Sequence, residues 1–476
     1  MENSNTLPVI KTDLTVIGAG MAGLSAAIFA LNRGISTVIT GKRSSMNFAT
    51  GLMDLMGVHP SGNEWDNPWE AIDMAKKDIP GHPYCAVKNE DIRQGIHEIV
   101  DFLKMQGLSY KMKEHENVNV ITSLGTVKKS YVIPESMWNG VSALENRSPS
   151  LIIDFAGMKI YSAKQIVSTL SGIWPQLQSA RIDFPGMEKL EEVYPEHIAR
   201  ALDVEVNRLR LVDLIKPLLN QYSSGKADLS KNNGQNQIQY LGFPALLGMY
   251  KSSETIRQLE KLLGIPVFEI PTPPVSVPGI RLYEALTQGL EKNSNLTFVP
   301  EMVKSVEPLE DGSFRILAGS ISDSSGGIPV PYIIDSGKKN QIADGLHKGI
   351  DAGKQKIVES KAIILATGRF MGKGLTAKRT GIRESLFDLP VSQPLERELW
   401  HHKDLFHPHG HPVNRAGIET DTMMRPLTRS GTPFAENIFA SGSILANSDW
   451  TRMKCGSGVA IATAFASVKS VQSILG

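Results

Sequence analysis

Six residues near the start constrain this chain more than any other stretch. Gly18-Ala19-Gly20-Met21-Ala22-Gly23 follows a β-branched run at 14–17 and opens an apolar stretch of helical spacing at 24–31. Gly34 then offers a helix stop, and residues 36–40 make a second β-type run. A strand, a G-x-G-x-x-G turn, a helix and a strand within about 30 residues are what a βαβ dinucleotide unit requires. In such a unit Gly18 permits the tight turn, Gly20 lets a pyrophosphate approach the backbone, and Gly23 lets helix and strand pack closely. The N–H groups at the helix start face the anion. By itself the motif points to FAD.

The end of the second run departs from the pattern. An Asp or Glu is expected there for the ribose hydroxyls, and the chain reads Thr40-Gly41-Lys42-Arg43. Three readings stay open: an NADP site whose 2′-phosphate meets the basic residues, a solvated turn, or a flavin held without the ribose carboxylate.

Two later segments repeat the strand-to-glycine theme. Residues 361–365 lead into Ala366-Thr367-Gly368, and residues 436–440 lead into Ser441-Gly442-Ser443. Cys455-Gly456-Ser457-Gly458 then opens a small-residue helix that runs to about 470. Thr367, Gly368, Gly442, Ser443, Gly456 and Gly458 can therefore bring further donors onto one cofactor. The arrangement resembles the two-dinucleotide-binding-domain flavoproteins, and the alternating segments 296–306 and 312–317 resemble their β-meander. The expected fold is α/β, a Rossmann-like FAD/NAD(P)-binding fold with a parallel sheet and a meander. Residues 1–60 plus 270–476 form the discontinuous flavin-binding domain in this reading, and 61–269 an inserted cap or substrate domain. Residues 223–236 and 318–353 read as loops.

Composition excludes several alternatives. The 50 Lys and Arg residues against 49 Asp and Glu leave a formal charge of +1, with no global field to attract nucleic acid. Two cysteines exclude a disulfide scaffold, a Cys-rich zinc site and a four-Cys iron–sulfur cluster made by this chain alone. No stretch is expected to approach the roughly 18 apolar residues of a membrane span; the longest candidate, 459–468, reads as a buried helix. Lys11, Thr12 and Asp13 interrupt the first apolar run before a signal-peptide core can form. A cytoplasmic chain is expected, with any membrane contact made through a partner.

Five segments carry a more specific resemblance: residues 47–55, Pro271-Thr272-Pro273-Pro274 with the following 275–282, residues 372–384, Thr422-Met423-Met424-Arg425-Pro426, and the Cys455-Gly456-Ser457-Gly458 tail. Together they resemble the B subunit of the anaerobic glycerol-3-phosphate dehydrogenases. The resemblance covers the first 60 residues and most of 240–476. It implies oxidation of sn-glycerol 3-phosphate to dihydroxyacetone phosphate, with electrons passed to a quinone and on to fumarate or nitrate. It also implies FMN as the flavin and two partners in one complex. One is a second flavoprotein, the A subunit; the other is an iron–sulfur C subunit that docks the pair on the cytoplasmic face of the inner membrane. A stand-alone NADP-dependent or generic flavin oxidoreductase is the first alternative, and a non-catalytic electron-relay or assembly subunit the second.

Alcohol oxidation on a flavin needs hydride delivery, a base for the hydroxyl proton and cations for the phosphate. Arg383 and Arg425, both in the resembling segments, are the candidates for the cations, with structural ion pairs as the competing reading. His401, His402, His407, His409 and His411 crowd five of the 11 histidines into eleven residues. Pro408, Gly410 and Pro412 interleave them, so a surface loop is favoured over a catalytic base or a metal site. Cys455 reads as a small residue beside a turn rather than a redox thiol, and Asp54 is a remote candidate acid.

Overall fold

The computed structural model describes residues 8–41, 45–60, 62–223, 237–319 and 355–476. Lys42 and Arg43, residues 224–236 of the polar run and residues 320–353 of the expected meander loop lie outside the described residues.

The opening strand Val9–Ile17 alternates in exposure at its start and is fully buried over its last four residues. A strand buried on both faces belongs inside a parallel sheet. It lies between two parallel neighbours, Thr37–Thr40 on one side and Lys356–Leu365 on the other. The full order is Leu296–Val299, Thr37–Thr40, Val9–Ile17, Lys356–Leu365, Phe314–Gly319 and Met302–Pro308, with Ile438–Ala440 also parallel to Lys356–Leu365. Ile17 is level with Thr40 and with Leu365, and Leu365 is level with Ala440. The carboxyl ends of four parallel strands therefore finish in one row.

The meander differs from its expected extent. Leu296–Val299 is not part of it but is the parallel edge strand beside Thr37–Thr40. The antiparallel ribbon is Met302–Pro308, Phe314–Gly319 and the first half of Lys356–Leu365. Short strands of alternating character look alike in sequence, and only their partners tell them apart.

Two helices of small and apolar residues cover one face. Met21–Asn32 buries Ala22 through Ala30 without a break, as a helix enclosed on all sides must. It packs on the C-terminal helix Gly456–Leu475, where Phe29 and Phe465 meet edge to face at 5.1 Å. That C-terminal helix corrects the expectation of no spanning stretch: its 20 residues and mean hydropathy of 1.4 satisfy the length and composition of a membrane span. It is 67% buried against the rest of the protein, which accounts for its apolar character as a core helix.

A second parallel sheet runs in the order Val267–Ile270, Tyr240–Pro244, Ser150–Phe155, Leu177–Ile182. Its own core contains Trp174, Phe155, Phe184 and Phe243. The stretch 61–269 contributes to both cores, because the helices Pro68–Asp78 and Asn89–Met105 place Trp69, Ile72, Ile96 and Ile99 in the first. Val277–Glu291 joins the two, with Val277 in the second core and Leu282, Leu286 and Leu290 in the first. From this helix Arg281 forms a buried bidentate pair with Glu269, at 2.7 and 3.0 Å. Glu269 also accepts from the Leu247 N–H at 2.6 Å, and Arg281 donates to the Gly248 carbonyl at 2.8 Å.

Candidate cofactor site

Each motif glycine at the head of the row meets a different constraint. Gly18 has φ +121°, and a Cβ there would come 2.2 Å from the Ala366 carbonyl oxygen. A Cβ on Gly23 would come 1.8 Å from the Gly18 carbonyl oxygen. Both glycines are thus required by the protein's own packing. Gly20 differs: its φ is −86°, and a Cβ there would meet nothing within 4 Å. Nothing among the described residues demands a glycine at Gly20, and the space in front of it is open. The helix that begins at Met21 has no capping side chain among the described residues, so its first amides remain available to an anion.

The strand ends beside this turn carry hydroxyls without partners among the described residues. Thr40 Oγ1, Thr367 Oγ1 and Ser441 Oγ are all buried and unpaired there. A buried hydroxyl without a partner costs about 1–3 kcal/mol, so three along one row of strand ends fit a polar molecule lying across them. Ser441 is a residue that the sequence reading passed over; its position directly before Gly442 was the available signal. Gly41 has φ +139°, with a prospective Cβ 3.2 Å from the Ala19 nitrogen, and it donates to the Val299 carbonyl at 3.1 Å. Glu301, a buried carboxylate two residues beyond that carbonyl, stands at the end of the adjacent edge strand. A buried carboxylate thus lies near the end of the second strand, in the bend that follows the edge strand Leu296–Val299.

The C-terminal segments close on the same turn. Gly442 has φ +78° and lies over Ala22, and Ser443 Oγ is 3.4 Å from where a Cβ of Gly368 would sit. Gly368 itself has φ +68°. The Gly442 amide donates to Thr463 Oγ1 at 2.8 Å, which ties this turn to the C-terminal helix. Gly456 and Gly458 are shaped by packing: a Cβ on Gly458 would come 2.3 Å from the Tyr84 hydroxyl, and one on Gly456 3.1 Å from the Trp450 ring. Arg369, also missed from sequence, leaves the Gly368 turn and donates to the carbonyls of Asn414, Leu445 (3.0 Å) and Ser448 (2.8 Å). Burial pushes its guanidinium down to about 10, with Asp449 opposing.

The candidate chemical residues are placed apart from one another. Arg425 pairs with Asp421 at 2.8 Å and with Glu436, and the Asp421 hydrogen bond chiefly raises its pKa. Arg383 is exposed on the hairpin strand Gly381–Glu384. The adjacent carboxylate, Glu384, does not pair with it but accepts from the Leu386, Phe387 and Leu389 amides. The histidines form a surface cluster in which the His402 and His407 rings stack at 3.8 Å. No group of three metal-capable side chains occurs among the described residues. Cys455 is buried, and burial pushes its thiol up to about 12. Asp54 is held by Lys128 at 2.6 Å and Ser130 at 2.7 Å.

An open approach at Gly20, an uncapped helix start and three unpaired hydroxyls on one row of strand ends fit a dinucleotide-sized flavin cofactor, and together with the parallel sheet they define a flavoprotein. The chain belongs to the FAD binding domain family, whose profile matches residues 13–459, and its cofactor is FAD. Over 476 residues it is 27% identical to the B subunit of anaerobic glycerol-3-phosphate dehydrogenase from Vibrio vulnificus strain CMCP6, covering 98% of this chain and 97% of that one. The B subunit of the same enzyme from Aliivibrio fischeri is 25% identical over 467 residues, with 96% and 95% covered. Among solved structures, 3-ketosteroid delta1-dehydrogenase from Sterolibacterium denitrificans overlaps 98% of this chain and 100% of its own, at 11% identity and a TM-score of 0.39.

Proposed function

We propose that this protein is the flavoprotein B subunit of a respiratory glycerol-3-phosphate dehydrogenase, oxidising sn-glycerol 3-phosphate to dihydroxyacetone phosphate. The observation that carries the reading is similarity over nearly the whole of both chains to proteins of that name, on a chain whose strand ends build a flavin cradle. FAD, when bound, supplies the two-electron acceptor for the hydride from C2 of the alcohol. The protein's own part is positional. Gly18, Ala19, Gly20, Met21, Ala22 and Gly23 present the helix amides to the pyrophosphate, Thr40 and Gly41 border its ribose side, and Thr367, Gly368, Gly442 and Ser443 border its other end. Gly456 and Gly458 set the start of the closing helix. Arg383, exposed and without an acidic partner among the described residues, is a candidate for charge on the substrate side. The inserted stretch 61–269, which carries most of the second parallel sheet, is the unit that covers the substrate in this reading.

Electrons pass in this reading to a quinone, with fumarate or nitrate as final acceptor. Cys85 and Cys455 are too few for a four-Cys cluster, so the conduit belongs to partners. These are a second flavoprotein, the A subunit, and an iron–sulfur C subunit that holds the assembly at the cytoplasmic face of the inner membrane. A second reading, an electron-relay subunit whose partner oxidises the alcohol, is favoured by one observation, the neutralisation of Arg425 by Asp421 and Glu436. Anaerobic titration of the FAD-loaded chain with glycerol 3-phosphate separates the two. Bleaching near 450 nm with stoichiometric dihydroxyacetone phosphate supports catalysis here. No bleaching by the lone chain, with full activity restored on adding the partners, supports the relay.

A further inference from the structure

We infer that the cavity between the His401–His411 loop and the Arg415–Asn447 pair holds the phosphate of a small phosphomonoester, the substrate phosphate of the proposed reaction. The inference rests on that reading for the identity of the ester, but the site rests on its own geometry. The cavity is about 400 Å³ and is lined chiefly by Ser392, Gln393, His402, His409, Arg415 and Asn447. Every one of these side chains can donate a hydrogen bond, and no carboxylate among the described residues lines the cavity. Its volume lies at the lower end of small-molecule pockets, which run from about 300 to 1,000 Å³.

The walls are fixed and the donors are free. Gln393 is locked to the backbone of Ile382, accepting at 2.6 Å and donating at 2.7 Å, which also ties the Arg383 hairpin to the rim. Asn447, in the left-handed region at φ +64°, donates its amide to the Arg415 carbonyl at 2.9 Å and its side chain to the Gly81 carbonyl at 3.3 Å. Arg369 clamps the neighbouring carbonyls of Asn414, Leu445 and Ser448 from behind. His402 is braced by its stack on His407. Among the described residues no protein acceptor takes the guanidinium of Arg415 or the rings of His402 and His409. A guanidinium fork with two imidazoles beside it matches the tetrahedral oxygens of a phosphate, whereas Arg425, one of the two cations the sequence pointed to, is already occupied by two carboxylates.

Position supports the assignment to the substrate. Arg369, which directly follows Gly368, donates to the carbonyls of Asn414, Leu445 and Ser448, which flank the cavity residues Arg415 and Asn447, so the cavity wall is hydrogen-bonded to the residue after a turn that borders the cofactor. A phosphate anchored at Arg415 would hold a three-carbon alcohol beside that border and fix which carbon is presented.

The test is calorimetric binding of inorganic phosphate, glycerol 3-phosphate and glycerol to the FAD-loaded chain and to Arg415→Ala, Arg415→Lys and His402→Gln. Both phosphate compounds should bind the wild type, and glycerol should not. Arg415→Ala should weaken phosphate and glycerol 3-phosphate 10- to 100-fold, Arg415→Lys should recover part of the loss, and His402→Gln should weaken both less. A flavin spectrum and melting curve equal to wild type show that each variant is folded. Unchanged affinity in Arg415→Ala overturns the site, whatever the activity. Arg415-dependent binding of phosphate by a chain whose complex with its partners leaves glycerol 3-phosphate unoxidised upholds the site and overturns the proposed reaction.

Discussion

Gly442 sits directly on Ala22: a Cβ built on Gly442 would lie 2.6 Å from the Ala22 Cβ. The two residues are 420 positions apart, one at the end of the last parallel strand and the other in the first turn of the opening helix. Their contact is where the end of the chain completes a cradle begun by its first strand. Because Gly442 also has φ +78°, any side chain there is penalised twice, by the clash and by the backbone conformation.

The Gly442→Ala variant is therefore expected to lose about 1–3 kcal/mol of stability and most of its bound FAD. Adding Ala22→Gly should relieve the clash but not the strain at φ, so the double variant should recover only part of both. Urea unfolding and the ratio of absorbance at 450 to 280 nm measure the two effects. Equal stability and flavin content in Gly442→Ala would show that the contact does not shape the site.

The glycines of the opening turn should separate into two groups. Gly18→Ala and Gly23→Ala would drive a methyl into backbone oxygens at 2.2 and 1.8 Å, and both should lower the melting temperature of the apoprotein. Gly20→Val meets open space in the protein, so its apoprotein should melt close to wild type, within about 1 kcal/mol. It should nevertheless bind little or no FAD, since the branched side chain would occupy the pyrophosphate's approach. Mass analysis of the flavin released from wild type should give FAD. A yellow Gly20→Val protein with full stoichiometry would overturn the role given to the turn.

The buried pair of Glu269 and Arg281 joins the second sheet to the helix that spans both cores. Arg281→Met should cost about 3–5 kcal/mol, because it leaves the Glu269 carboxylate buried without its cation. Replacing both, as Glu269→Leu with Arg281→Met, should recover part of that loss even though Glu269 also serves the Leu247 amide. A double-mutant cycle by urea unfolding reads the coupling. Additive losses would mean that the pair does not act as a unit.

The contrast between what the sequence disclosed and what it concealed follows contact range. The Gly18-to-Gly23 turn is local, so its strand, turn and helix were legible from spacing alone. The strand-to-glycine turns at Thr367-Gly368 and Gly442-Ser443 were legible as turns as well, since each follows an apolar strand. Leu296–Val299 was misassigned because its partner, Thr37–Thr40, lies some 260 residues away and nothing local marks the pairing. The same distance hid Glu301 as an acid beside the second strand. Arg425 looked like an anion site because its carboxylates, Asp421 and Glu436, meet it only through an irregular turn. Arg415 carries no motif: its interest comes from cavity walls assembled out of Ser392, Gln393, His402, His409 and Asn447.

His82 supplies a pH test of the fold. Burial drives its imidazole down to about 3, with His59, Lys76 and Arg415 adding repulsion. Its Nδ1 accepts from the Tyr84 amide at 3.2 Å, which leaves the proton on Nε2, a buried atom without a partner among the described residues. The folded pKa is depressed below the unfolded value of 6.5. Between those values the unfolded chain binds a proton that the folded chain refuses, so stability falls as pH drops below 6.5 and continues to fall toward 3. At pH 4.5 this residue alone should remove about 2–3 kcal/mol relative to pH 7.5. The His82→Asn variant can keep the cap on the Tyr84 amide through its side-chain oxygen and cannot titrate. Its urea stability should therefore decline less between pH 7.5 and 4.5 than that of wild type, by about that amount, even if its stability at pH 7.5 is lower. Parallel declines in the two proteins would mean that His82 takes up its proton in the folded state, and that the pocket around it is less closed than its burial indicates.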